Sequence, residues 1–401
     1  MSGLAAEGGA PVRTGPLPPW PVFADDERAA VDAVLASGKV NYWTGREGRS
    51  FEQEWAAYCG SGHAIAVSNG TTSLELLLRA FGVGPGDEVV VTPRSFMASV
   101  SAPVAVGARP VFADVDPDSQ SITAESVARV LTPRTKAILP VHLAGWPAEM
   151  DALMELADAH NLVVIEDCAQ AHAARYRGRV VGSIGHGGSW SFCQDKILTT
   201  GGEGGIITTN DEQAWRAAWA YKDHGKSYEA VYEREHPPGY RWLIESFGTN
   251  MRMTEMQAAI GRVILKKLDG WVATRRRHAT RLFDRLASQP ALRIPRPPAH
   301  IDHSWYKAYA FVRPEALKTG WDRDRLMNAI AAEGVPTYSG SCSELYRERA
   351  VPTAWQPETE LTVARQLGAT SLMWMVHPTL RDEDIDATAE AIEKVLHVAS
   401  R

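Results

Sequence analysis

Cysteine is scarce in this chain of 401 residues, which carries only Cys59, Cys168, Cys193 and Cys342. They lie far apart, with no CxxC pair and no histidine at metal-ligand spacing, which argues against a disulfide scaffold or structural zinc, and no metal is assigned. Long apolar runs are missing too. No stretch approaches the roughly 18 residues of a membrane span, and the N-terminus lacks the apolar core of a secretory signal. A cytoplasmic protein with no membrane partner is expected. Nor does charge of one sign accumulate: 42 Lys+Arg against 48 Asp+Glu leave a net −6, and Arg275-Arg276-Arg277 is the longest basic block. A nucleic-acid surface, whose affinity rests on neutralising phosphates, is not implied.

What is present is a repeating grammar. Short apolar runs at Ala64–Val67, Val89–Val91, Pro110–Ala113, Lys136–Leu139 and Leu162–Ile165 alternate with helical segments such as Thr72–Phe81, Ala124–Leu131 and Met150–Ala159. Strands rich in β-branched residues alternating with helices predict an α/β fold whose mostly parallel sheet is covered on both faces. Gly188–Cys193 and Gly205–Thr209 bring the expected count to seven strands. Thr254–Ser288 reads as one long helical region, broken by the Pro-rich segment Pro290–Pro298. The domains are accordingly set at 1–19, a flexible Gly/Ala/Pro-rich arm; 20–289, a large α/β domain; and 290–401, a small α+β domain.

Four features fall at expected strand ends or turns, where open α/β sheets bind ligands. Ser68-Asn69-Gly70-Thr71-Thr72-Ser73 opens a helix and could cradle a phosphate, although Ser/Thr turns cap helices routinely. Glu166-Asp167 closes an apolar strand, where a buried carboxylate needs a cation or an internal ion pair. Lys196 stands in a polar turn shortly before Gly201-Gly202-Glu203-Gly204-Gly205 and could form a Schiff base with an aldehyde cofactor, although most lysines in turns are merely solvated. Gly248-Thr249-Asn250-Met251-Arg252 precedes a helix capped by Thr254, and capping leaves Asn250 and Arg252 unexplained.

Asn69-Gly70-Thr71, Phe96, Glu166-Asp167-Cys168-Ala169-Gln170-Ala171-His172, Ser191-Phe192 with Lys196, Gly202-Glu203-Gly204-Gly205 and Asn250-Met251-Arg252-Met253 run in order along the chain. Together they resemble the DegT/DnrJ-type family of pyridoxal 5'-phosphate (PLP) sugar aminotransferases, of fold type I in the aspartate aminotransferase superfamily. The resemblance implies that Lys196 links to the cofactor and shuttles the proton, and that Asp167 keeps the pyridine nitrogen protonated. It further implies that Gln170 bonds the ring 3-oxygen, that Phe96 stacks on the ring, and that Ser191 with Gly70, Thr71 and Thr72 binds the phosphate. Asn250 would reach the neighbouring subunit's phosphate, which implies a homodimer with shared sites. His172, Trp146, His224 and Arg252 are carried only as candidate substrate contacts.

The activity implied is amine transfer from glutamate or glutamine to a keto-sugar, nucleotide-linked in the first reading and a keto-cyclitol of antibiotic biosynthesis in the second. A related branch that removes a sugar hydroxyl has histidine at the lysine position, so Lys196 favours transfer over dehydration. A dinucleotide enzyme would need G-x-G-x-x-G after the first strand, which Ser68–Ser73 lacks. A silent scaffold that kept the fold is countered by Lys196, Asp167 and Ser191. Departures from the family pattern are Gly145-Trp146-Pro147, Lys222-Asp223-His224-Gly225 and the loop Lys226–Phe247. The loop's Tyr228, Tyr232, Tyr240 and Trp242 are expected to pack on the partner subunit, or else to stack on a sugar or base. Ser339–Tyr346 is expected at the site entrance, and Arg252, Lys222 and Lys226 are the cations expected near it.

Overall fold

The computed structural model describes residues 3–236, 238–239 and 241–401; Tyr240 of the aromatic loop lies outside them. The seven expected strands form one sheet: β1 (His63–Val67), β2 (Glu88–Val91), β3 (Arg109–Phe112), β4 (Thr135–Leu139), β5 (Val163–Asp167), β6 (Gly187–Ser191) and β7 (Gly205–Thr209). Their order is β1-β7-β6-β5-β4-β2-β3. Only β7 runs antiparallel to its neighbours, and the pairs from β6 to β3 are parallel. Because helices cover both faces, β2, β6 and β7 are buried at every residue, which is why they read as continuous apolar or small runs instead of alternating ones.

This topology gathers the polar turns. The carboxyl ends of β1, β5 and β6 lie at one edge of the sheet, and antiparallel β7 starts there, Gly205 pairing with both Val67 and Ser191. The glycines before β7 are thereby drawn to the same edge as Asn69, Asp167 and Ser191. A Cβ on Gly205 would meet the Asn69 carbonyl oxygen at 2.4 Å, so only glycine lets these turns close up.

Leu292–Arg293, Ala308–Val312 and Ser371–Trp374 form a small antiparallel sheet backed by the helices Arg323–Ala332 and Asp382–Ala399. Its apolar core also takes in Ala279, Leu282, Phe283 and Leu286. The second core therefore begins inside a helix of the large domain, ahead of the break expected at 289/290. That helical region is two helices, Glu255–Leu265 and Leu268–Leu286. At the junction Lys267 is drawn to Asp26 and Glu27 on the helix Asp25–Ser37.

Residues 4–13, expected from composition to be part of a flexible arm, are docked on the small domain. Leu4 sits in the small-domain core at 1% exposure. The buried Glu333 carboxylate accepts from the Ala5 N–H at 2.8 Å and the Val12 N–H at 3.1 Å while pairing with Lys394 at 2.7 Å. Arg13 reaches Asp384 at 2.8 Å. A buried carboxylate must find donors, and the arm's backbone supplies them.

Candidate active site

A cavity of about 1030 Å³ opens at the sheet edge where these turns meet. On one wall the helix Gly70–Ala80 begins. Asn69 caps it, its Oδ1 accepting from the Thr72 N–H at 3.0 Å, and the Thr72 hydroxyl returns to the Asn69 carbonyl at 2.8 Å. The first two N–H groups, of Gly70 and Thr71, have no partner within the helix, and both residues line the cavity, where such free amides can cradle an anion. Gly70 is pressed so closely on the end of β6 that a Cβ there would lie 2.5 Å from that of Ser191. Ser191 completes this wall, its Oγ accepting from the Cys193 N–H at 3.3 Å.

The floor is set by β5. Glu166 and Asp167 are consecutive, so their side chains leave the strand on opposite faces. Asp167 lines the cavity. Its Oδ2 accepts from the Ser99 hydroxyl at 3.0 Å and its Oδ1 from the Ala169 N–H at 3.1 Å. Burial pushes its carboxyl above the ordinary aspartate range, against the lowering pull of those donors and of Lys196. Glu166 does structural work on the other face, accepting from the N–H groups of Gly182, Ile184 and Gly185 at 2.7–2.8 Å. The Ala148 N–H donates to His142 Nδ1, so it is the Nε2–H that reaches Glu166 at 3.0 Å. Burial alone would raise the Glu166 carboxyl; His142 and the amides of Gly182 and Gly185 hold it below its usual range.

Gln170 also lines the cavity, with its carbonyl oxygen already taken by the Ala144 N–H at 2.9 Å. Its amide NH₂ has no such partner and can donate to a ligand. Lys196 stands opposite, in a turn fixed by its N–H donating to the Cys193 carbonyl at 3.1 Å and its carbonyl accepting from Trp20 Nε1 at 3.1 Å. Its Nζ is 3.7 Å from Asp195 Oδ1 and 5.1 Å from the centre of the Tyr306 ring. Phe96 borders the same space with 71% of its surface exposed.

The structure thus brings Gly70, Thr71, Thr72, Phe96, Asp167, Gln170, Ser191 and Lys196 to one cavity, and Gly340, Ser341, Cys342 and Leu345 of the polar Ser339–Tyr346 segment line it as well. The other residues singled out from the sequence lie elsewhere. His172 does not line the cavity; it is wholly buried among Trp55, Trp190 and Phe192, and that burial holds its ring at about 3, uncharged. Trp146 packs on His303 beside the cavity and not in it. His224 is solvent-exposed and adopts a left-handed backbone with φ 61°. Arg252 is occupied by Asp223 at 2.5 Å, and Lys226 by the same carboxylate at 2.7 Å. Lys222 is fully buried over the Tyr42 ring at 3.9 Å. Asn250 is exposed and lines no part of its own chain's cavity. In the aromatic loop Tyr228 and Tyr232 pack on Trp219 of their own chain, at 5.1 and 5.9 Å, whereas Trp242 is left 84% exposed.

Residues that the sequence reading missed complete the wall: Ser99, Asp195, Tyr306 and Lys307. Asp195 adjoins Lys196 in sequence, which was a usable signal. Tyr306 and Lys307 come from the bend just ahead of the small-domain strand Ala308–Val312, a placement no local pattern announces.

The chain matches the family model described as the DegT/DnrJ/EryC1/StrS aminotransferase family over residues 21–393. It is 36% identical to the dTDP-3-amino-3,4,6-trideoxy-alpha-D-glucose transaminase of Streptomyces venezuelae, over 92% of each chain. It is 38% identical to the L-glutamine:2-deoxy-scyllo-inosose aminotransferase of Streptomyces kanamyceticus, over 83% of this chain and 78% of that one. Among solved structures it is similar to an aminotransferase from Psychrobacter cryohalolentis, with a TM-score of 0.94 and 55% identity, covering 96% of this chain and 99% of the other. A seven-stranded, mainly parallel sheet, a lysine facing a buried aspartate across one cavity, and a match spanning nearly the whole sequence agree: the chain belongs to the DegT/DnrJ/EryC1/StrS aminotransferase family.

Proposed function

We propose that the protein is a PLP-dependent aminotransferase that moves an amino group from glutamate or glutamine to the ketone of a nucleotide-linked sugar, working as a cytoplasmic homodimer. The observation that carries the reading is the convergence of Lys196, Asp167, Gln170 and the Gly70–Thr71 cradle on one cavity. These donors fit the cofactor. Asp167 is a buried carboxylate whose charge burial opposes, and a protonated ring nitrogen would stabilise it. Gln170, its Oε1 already accepting from the Ala144 N–H, has both N–H groups of its amide to donate, which suits an anionic ring oxygen. The helix N-terminus beside Ser191 suits a phosphate.

When bound, the cofactor supplies an electron sink that acidifies the C–H beside the transferred amine. The chain's own work is positional and protic. Lys196 Nζ would take the proton from the substrate carbon and return it, as base in one direction and acid in the other. Asp167, fixed by Ser99 and Ala169, holds charge in place at the floor. One cavity serves donor and acceptor in turn, so parallel initial-rate lines are expected.

A keto-cyclitol acceptor is the second reading, and one observation favours it: Lys222, Lys226 and Arg252, the cations expected to meet nucleotide phosphates, do not line the cavity of their own chain. The test of the common core is direct. Borohydride reduction of the PLP-loaded protein followed by peptide mass analysis should locate the cofactor on Lys196, and Lys196→Ala should lower turnover by about 10³-fold or more. Full turnover in that variant would sink the proposal.

A further inference from the structure

Lys307 is the second amine of the cavity, and nothing in the assigned chemistry employs it. Its side chain is largely buried, at 11% exposure, and its Nζ lies 4.6 Å from the centre of the Tyr306 ring but makes few hydrogen bonds. An ammonium has three donors. Among the described residues its one hydrogen bond goes to the thioether Sδ of Met375, a weak acceptor, at 3.1 Å. Asp195 Oδ2 stands 3.7 Å away, beyond hydrogen-bond reach, and already accepts the Tyr306 hydroxyl.

The local charge count points the same way. Among the described residues, Asp195 is the carboxylate that pairs with both Lys196 and Lys307, at 3.7 Å from each. Behind them lies Arg275, fully buried, with Nε and Nη2 lacking hydrogen-bond partners among the described residues. Burial and this cationic company, Arg275 and Lys196 above all, bring the Lys307 ammonium down to about 8 despite Asp195. Asp167, Glu203 and Glu348 also line the cavity, but around Asp195 itself the cations Lys196, Lys307 and Arg275 outnumber the carboxylate, and a bound anion would balance that local excess.

We propose that Lys307 is a specificity-determining residue that binds an oxyanion of the substrate, the α-carboxylate of the amino donor being the one whose position matches. Lys196 and Lys307 share the two oxygens of Asp195, so they stand one carboxylate apart. The α-carboxylate is bonded to the same carbon as the amine being transferred, and a substrate reacting at Lys196 therefore brings it within reach of Lys307. A nucleotide phosphate lies several bonds farther from the reacting carbon. The inference rests on the aminotransferase reading for the identity of the anion, but not for its charge.

The experiment compares the PLP-loaded wild-type protein with Lys307→Met, close in shape and uncharged, and with Lys307→Arg. Binding of L-glutamate is titrated by absorbance against L-isoglutamine, which lacks only the α-carboxylate charge, and inorganic pyrophosphate is titrated by calorimetry. Lys307→Met is expected to weaken L-glutamate about ten- to hundredfold, the scale of one hydrogen bond to a charged group. The loss should fall on KM more than on kcat, L-isoglutamine should be nearly indifferent to the substitution, and Lys307→Arg should recover part of the affinity. If pyrophosphate alone loses affinity in Lys307→Met, the oxyanion site stands and belongs to the acceptor's phosphates. Unchanged binding of every probe in Lys307→Met overturns the proposal. A wild-type protein that binds these anions through Lys307 yet transfers no amine would instead defeat the aminotransferase reading and leave the anion site intact.

Discussion

Two neighbouring acids, Glu166 and Asp167, illustrate how chemistry is allotted residue by residue. Both end the same apolar strand and both are buried, but the pleat sends them to opposite faces. Glu166 is saturated by three amides and His142 and acts as a brace. Asp167 has two donors, one on each oxygen, and a cavity in front of it. Gly70 acts at the same scale through what it lacks. With the Ser191 Cβ only 2.5 Å from where its own would be, any side chain must push the cradle open. Gly70→Ala is therefore expected to weaken PLP binding about tenfold or more, the worth of one charge-assisted hydrogen bond to the phosphate. An absorbance titration reads the affinity, with circular dichroism to verify the fold. Unaltered affinity would mean that the phosphate sits elsewhere.

Among the elements, the antiparallel strand β7 matters most, since it delivers a glycine run to the edge where parallel strands end. Elements that the periodicity did not announce, Glu47–Cys59 and Ala98–Ala105 with Pro103 inside it, are helices all the same. The former packs Phe51 and Trp55 into the main core, and the latter presents Ser99 to Asp167. Tertiary contacts overrode weak local signals in both. The N-terminal segment behaves as an element of the small domain. Leu4→Ala is expected to cost about 2 kcal/mol, the low end for a buried leucine because a terminal segment can fray. Denaturant titration with limited proteolysis of residues 3–13 would measure it. An unchanged midpoint and cleavage pattern would contradict the docking of this segment.

Viewed whole, the molecule leaves Trp242, Ile244 and Phe247 between 60 and 100% exposed within six residues of one another, close in sequence to Asn250. Monomers rarely expose large apolar side chains in such a cluster, and a homodimer that buries them is the expected assembly. Because Asn250 does not line its own chain's cavity, complementation tests the sharing of sites. Lys196→Ala and Asn250→Ala proteins, each weakly active alone, should regain turnover when mixed and reassembled, since a mixed dimer carries one site with both residues intact. A mixture no better than the sum of its parts would confine each site to a single chain.

How much was legible beforehand follows from how local each feature is. The seven strands, the capped helix at Gly70, and the spacing of Asp167, Gln170, Ser191 and Lys196 are written in short segments, because strand ends and caps are made by a few consecutive residues. Matching these segments to a known family required no contact between them. The partners of each group were not readable, because they come from remote parts of the chain. Ser99 reaches Asp167 across 68 positions, and the Tyr306 hydroxyl reaches Asp195 across 111. His172, adjacent to the motif and polar, was a reasonable substrate candidate from sequence, yet packing turned it into the aromatic core. Arg252 was another, and Asp223 captured it. Local composition thus determined which residues could do chemistry. Which of them face the same cavity, and that a second amine at Lys307 stands beside Lys196, was decided only when the small domain closed over the sheet edge, since burial and charge pairing are properties of the assembled fold.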